Sequence, residues 1–207
     1  MDREKKKLIF FDFDGVIADS FIAAFTVSKM IHPLLKQEDY RRRFDGNVNE
    51  AAVDGRIQKE YRSDVDFFEE YKPLLLESPI FPAMRDVVRA CAKKFSLVII
   101  SSTTTPLISA YLKKHHIERY FEEIMGNDVH KSKIKKIGMA LAKYKIIPNE
   151  CLFVTDTVGD IKESRSMGVK AAAVTWGYHS RKSLERADPF VIIDTTQELF
   201  DLIERLP

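Results

Sequence analysis

The chain predicts an α/β fold, a Rossmann-like, mostly parallel sheet flanked by helices and carrying an inserted all-helical cap, and three observations predict it. Short apolar runs, Leu8–Phe11, Ser96–Ile100 and Cys151–Thr155, each stop at polar residues, as buried strands do. From about Phe81 onward such runs alternate with helix-period segments, the signature of βα units. Between the first run and Phe81 lies a stretch of helix formers and charges with no strand pattern.

Each element follows from its pattern. Leu8–Phe11 reads as the first strand. The segment from Asp19 to Ile80 is far longer than the roughly dozen residues that a parallel crossover needs. The surplus implies a helical unit inserted after the first strand: residues 1–18 and 81–207 form the core domain and 19–80 the cap, with hinges near Ala18–Ser20 and Ser78–Pro82. Pro82–Lys94 reads as a helix with proline at its first position and Met84, Val87, Val88 and Cys91 on one face. A strand at Leu97–Ser101, a helix near Pro106–Lys114, a short strand near Ile124, a helix at Ser132–Tyr144 and a strand at Leu152–Thr155 come next. Helix Ile161–Met167, strands Ala171–Thr175 and Val191–Ile193, and helix Gln197–Arg205 complete the series. No internal repeat interrupts it.

Composition narrows the function classes. With 33 basic and 31 acidic residues, the chain has no global field that argues for nucleic acid or an anionic membrane. Cys91 falls in an apolar helix pattern and Cys151 at a strand start, which suits buried free thiols in a reducing, cytoplasmic setting. The apolar run after the basic N-terminus ends at Asp12, too short for export or spanning. The expectation is a soluble monomer or homodimer that binds a small molecule.

The chemistry lies at the strand ends. Asp12 and Asp14, two residues apart where the first strand stops, can converge on one site. Gly15 follows and permits a sharp turn. Asp156 repeats the pattern, with Asp160 four residues on. Between these acid pairs come a strand ending in hydroxyls, Ser101–Thr105, and two lysines, Lys131 and Lys133, at a helix start. Clustered carboxylates repel unless a hard cation sits among them, and an oxygen-rich set suits magnesium better than zinc. A hydroxyl and an ammonium beside them would hold a phosphate.

With these residues the chain resembles the haloacid dehalogenase superfamily, and within it phosphoglycolate-phosphatase-like members with a small helical cap. Asp12-Phe13-Asp14-Gly15-Val16 matches the first motif, Ser101 the second, and Asp156 with Asp160 the acidic fourth; Thr155 stands where that motif commonly has glycine. Ala173–Ser180 is similar to the segment after the fifth strand in these relatives. The resemblance implies a Mg2+-dependent phosphatase acting on a small phosphomonoester. Asp12 is then the nucleophile, which forms an aspartyl-phosphate, and Asp14 the general acid/base. Ser101 and a lysine bind phosphate. Asp12, Asp156 and the Asp14 carbonyl hold the metal, and Asp160 orients metal-bound water. Lys131 and Lys133 both remain candidates for the phosphate lysine, since the usual Lys-Pro is absent and Ser132 can cap the helix.

Other readings stand beside these. Ser102, Thr103 and Thr104 can cap the next helix, and Lys133, Lys135 and Lys136 can form a solvated face. Arg41-Arg42-Arg43 is either a solvated face or, at Arg43, a contact to an anionic substrate. His179 lies in a loop and is either a residue that approaches the site or a surface histidine. A calcium loop starting at Asp12 fails because its twelfth position is Ala23, and no phosphate loop supports a GTPase. The alternatives in function are a phosphomutase of the same superfamily and a non-catalytic protein that binds a phosphate ligand.

Overall fold

The computed structural model describes residues 7–50 and 61–206. Six parallel strands, β1 (Leu8–Phe11), β2 (Ser96–Ile100), β3 (Glu123–Met125), β4 (Cys151–Thr155), β5 (Lys170–Val174) and β6 (Val191–Ile193), form one sheet in the order β3-β2-β1-β4-β5-β6. Strand β1 lies between β2 and β4, so the strand order reverses at its edges. The crevice at such a point, beyond the strands' C-terminal ends, is where open α/β sheets bind ligands.

Side-chain alternation splits the core in two. Ile9, Phe11, Leu97 and Ile99 point to one face, and Leu8, Phe10, Val98 and Ile100 to the other. The first face is covered by α4 (Met84–Lys94), α5 (Thr105–Lys114) and α9 (Thr196–Arg205) through Val87, Val88, Ile108, Leu199 and Ile203. Ile137 and Ala140 of α6 (Lys133–Tyr144) cover the second. Helices α7 (Val158–Ser166) and α8 (Arg181–Arg186) follow β4 and β5, and Ile161 and Leu184 pack with Ala171 and Ala173.

The helix after Phe81 starts at Met84, two residues later than its proline suggests, because Ala83 takes a left-handed conformation just before it. Helix α7 begins earlier than its apolar pattern suggests, since Thr157 caps it by accepting from Asp160 N. The six-residue α8 is too short to show a period.

Residues 19–80 carry α1 (Phe21–Ile31), α2 (Gln37–Arg42), a 3-10 turn at Arg43–Asp45 and α3 (Phe67–Glu77), with no strand among the described residues. Asp66 caps α3, accepting from Phe68 N and Glu69 N. Helix α1 packs on α3, α3 on α5, and the 3-10 turn on α7. The two crossings to the sheet pair with each other: Asp19 N donates to Pro79 O (2.9 Å) and Phe81 N to Ile17 O (3.1 Å). Among the described residues no helix is long and apolar enough to cross a membrane. Cys91 and Cys151 are free and buried.

Candidate active site

The site is built at the ends of β1, β2 and β4. Asp12 leaves β1 still tied to the sheet, its N–H donating to Val154 O (2.9 Å). One carboxylate oxygen accepts from Phe13 N (2.7 Å), and the other pairs with Lys133 Nζ (2.8 Å). Lys133 Nζ also reaches Asp160 Oδ2 (2.7 Å), which accepts from Thr155 Oγ1 (2.6 Å). All these groups are buried.

Lys133, at the start of α6, is therefore the lysine the fold brings to the carboxylates. Lys131 is exposed, and among the described residues its carbonyl accepts from Asn49 Nδ2 (3.0 Å). The reason is the helix start: Ser132 caps α6 through Lys135 N, and the turn that follows aims Lys133, not Lys131, inward.

Burial opposes charge on Lys133, but the Asp12 and Asp160 carboxylates outweigh it and raise its pKa. Burial likewise disfavours ionisation of Asp160, yet Lys133 and its hydrogen bonds hold its pKa low. Asp12 is pushed up by burial and by Asp160 and Asp156, with Lys133 opposing. Burial pushes Asp156 up to about 7, against the hydrogen bond from Tyr178 N (2.6 Å).

Three buried carboxylates thus share one ammonium, an arrangement short of positive charge. Asp156 Oδ1 is buried with no hydrogen-bond partner. Its other oxygen is enclosed so tightly that a Cβ on Gly15 would lie 2.0 Å from it and one on Gly177 2.2 Å away. Gly15 also has φ +75°, a conformation that costs other residues dearly. Among the described residues no three His, Cys, Asp or Glu side chains suffice for a metal alone. Two carboxylates plus a backbone carbonyl remain a fitting oxygen set for Mg2+.

Asp14 is surrounded by hydroxyls. Its Oδ1 accepts from Ser20 Oγ (2.7 Å) and from Tyr71 OH, and its Oδ2 from Thr103 Oγ1 (2.7 Å). Each hydroxyl can rotate to donate to a carboxylate or to accept from a carboxylic acid, so the ring of partners serves both protonation states. Ser101 is fully buried, and its Oγ accepts from Thr103 N (3.0 Å). Asp12, Asp14, Ser101, Lys133 and Asp160 line one hollow of about 40 Å3, room for a few waters or one small tetrahedral anion.

Other residues have roles that pattern did not reveal. Lys136 is fully buried, not solvated: Nζ donates to Ser101 O and Gly126 O and ties the loops after β2 and β3 together. Burial lowers its pKa to about 8, with Lys133 adding to the effect. Glu163 lines the same hollow, its pKa pushed by burial up to about 7. Thr103 serves Asp14 rather than a helix cap. Tyr71 comes from α3, far away in sequence, and no local signal marks it.

His179 is buried as a neutral ring, accepting from Val158 N at Nδ1 (2.9 Å) and pairing Nε2 with Arg41 O (2.9 Å); burial holds its pKa down. Arg41 lies over the Phe21 ring (3.8 Å) and donates to Tyr178 O. Arg42 is exposed beside Asp39 (3.2 Å). Arg43 is half-buried and lines a second cavity together with Asp14.

The model of the haloacid dehalogenase-like hydrolases matches residues 9–174. The chain belongs to this family. A phosphoglycolate phosphatase of Vibrio vulnificus is 23% identical over 98% of both chains, and one of Synechococcus elongatus 24% identical over 96% of this chain and 97% of its own. The chain's fold is also that of a haloacid dehalogenase-like hydrolase of Streptococcus pneumoniae, with a TM-score of 0.74 at 21% identity, covering 96% of this chain and 98% of that one. This haloacid dehalogenase-like protein is accordingly an enzyme of the hydrolase class.

Proposed function

We propose that the chain is a phosphoric monoester hydrolase that works through an aspartyl-phosphate on Asp12, with residues 19–80 acting as a cap over the core formed by 1–18 and 81–207. The observation that carries this reading is the buried set of Asp12, Lys133 and Asp160 facing Asp14 across one anion-sized hollow. The named relatives support a small phosphomonoester as substrate.

A phosphoryl group in the hollow is held by Ser101 and by Lys133, whose ammonium also orients Asp12. Asp12, Asp156 and the Asp14 carbonyl would hold Mg2+, with Asp160 orienting its water; when bound, the ion offsets the negative charge gathered on nucleophile and phosphate. Asp12 attacks phosphorus as the carboxylate. Asp14 protonates the departing ester oxygen, then takes a proton from the water that hydrolyses the aspartyl-phosphate. Its three hydroxyl partners hold it in place through both steps. Lys136 fixes the Ser101 carbonyl and so the loop that presents the Ser101 side chain.

Phosphate release from a panel of small phosphomonoesters tests the proposal. Turnover with Mg2+, lost with EDTA and in Asp12→Asn, is the expected result. Folded protein that releases phosphate from no ester overturns it.

A further inference from the structure

We propose that the alcohol leaving in this reaction carries a ring and occupies the cavity between the 19–80 helices and the core, with Arg43 and Asn127 as its polar contacts; the inference rests on the phosphatase reading above. The cavity holds about 350 Å3. Asp14, Phe44, Val48, Ser102 and Tyr178 line both it and the small anion-sized hollow, so the two adjoin and Asp14 stands at their junction. A phosphoryl group beside Asp12 and Lys133 then presents its ester oxygen to Asp14, and the rest of the molecule extends into the larger cavity.

Size argues against a minimal leaving group. At ~30 Å3 per water the cavity has room for about a dozen water-sized groups, and a two-carbon acid leaves most of it empty. The walls argue for a ring: Tyr40, Phe44, Phe67, Phe68, Tyr71 and Tyr178 line it, and aromatic faces and edges gain most from another flat ring. The walls also carry Arg43 and Asn127, a guanidinium with five N–H donors and an amide with two donors and one acceptor. Arg43 Nε and Asn127 Oδ1 are themselves enclosed, so the terminal guanidinium nitrogens and the amide nitrogen are the groups left to meet a ligand that supplies acceptors. Pockets for specific small molecules commonly combine apolar walls with a few such polar groups. The shared chemistry is that of a heteroaromatic carbinol or a nucleoside esterified with phosphate.

Titration calorimetry on Asp12→Asn protein compares pyridoxine 5′-phosphate, uridine 5′-monophosphate and phosphoglycolate. At least one ring ester should bind tenfold or more tightly than phosphoglycolate, and which one separates carbinol from nucleoside. Ala24→Leu and Ser28→Leu, on neighbouring turns of α1 facing the cavity, should each abolish that preference, and Arg43→Gln should weaken the ring ester at least fivefold. Phosphoglycolate bound as tightly as both ring esters overturns the proposal, as does a preference that survives both cavity-filling changes. Tight ring-ester binding without phosphate release by the unaltered enzyme would uphold the ring site and overturn the phosphatase reading instead.

Discussion

The two sides of Asp14 are built on opposite plans. Toward the sheet, nearly every polar atom has an assigned partner: Lys133 bridges Asp12 and Asp160, Thr155 holds Asp160, and Lys136 ties down Ser101 and Gly126. Toward the helices of 19–80, a wide cavity has aromatic walls that also carry Arg43 and Asn127. The difference teaches where each task resides. Charge chemistry needs fixed dipoles and ions in place before the substrate arrives, whereas selectivity needs space and partners that the substrate completes.

The largest effect expected on the sheet side is at the proposed nucleophile: Asp12→Asn should cut kcat by on the order of 10³ or more and leave the fold intact, as circular dichroism and a thermal melt would verify. Lys133→Met should be nearly as severe and also unstable. Removing one partner of a buried ion pair costs about 3–5 kcal/mol, and losing Lys133 strands two carboxylates, whereas Asp12→Asn leaves Lys133 paired with Asp160, so urea melts should show a larger loss for Lys133→Met than for Asp12→Asn. Near-native stability would mean that Asp12 and Asp160 do not depend on Lys133.

Tyr71→Phe probes the border between the two sides. It deletes one hydroxyl on Asp14 and leaves Ser20 and Thr103 in place. A loss of about 1–2 kcal/mol in transition-state binding should appear in kcat more than in KM, with an altered pH profile. An unchanged profile would confine Tyr71 to packing.

The smallest effect concerns Lys136. Its folded pKa of about 8 lies below its ordinary value of 10.5, so between those values the unfolded chain holds a proton that the folded one has released. Stability contributed at this position therefore rises with pH across that window. The stability difference between the native chain and Lys136→Met should shift in the native chain's favour from pH 7.5 to pH 10, by on the order of 1 kcal/mol. No shift would show that Lys136 remains charged throughout.

Much of the sheet side was legible in sequence because strands announce themselves as apolar runs and place their first polar residues at one edge. Leu8–Phe11 led directly to Asp12 and Asp14, and Cys151–Thr155 to Asp156 and Asp160. Counting back from Asp156 favours Lys131 over Lys133, and the outcome turned instead on where Ser132 begins the helix. Lys136 read as surface because lysine runs usually are, and only the carbonyls of Ser101 and Gly126, from two other loops, make its burial tolerable. Tyr71 was invisible: its partner lies 57 residues away, and a tyrosine on an amphipathic helix signals packing alone. The cavity was equally hidden, since apolar residues that line a space and those that fill one share the same pattern.

Rapid acid quench of the enzyme mixed with a turned-over phosphomonoester, followed by mass spectrometry of the peptide containing Asp12, tests the central claim most directly. One added phosphoryl group on Asp12, absent from Asp12→Asn, is the predicted result. A phosphoryl group on another residue, or none on any peptide while turnover proceeds, would contradict the account.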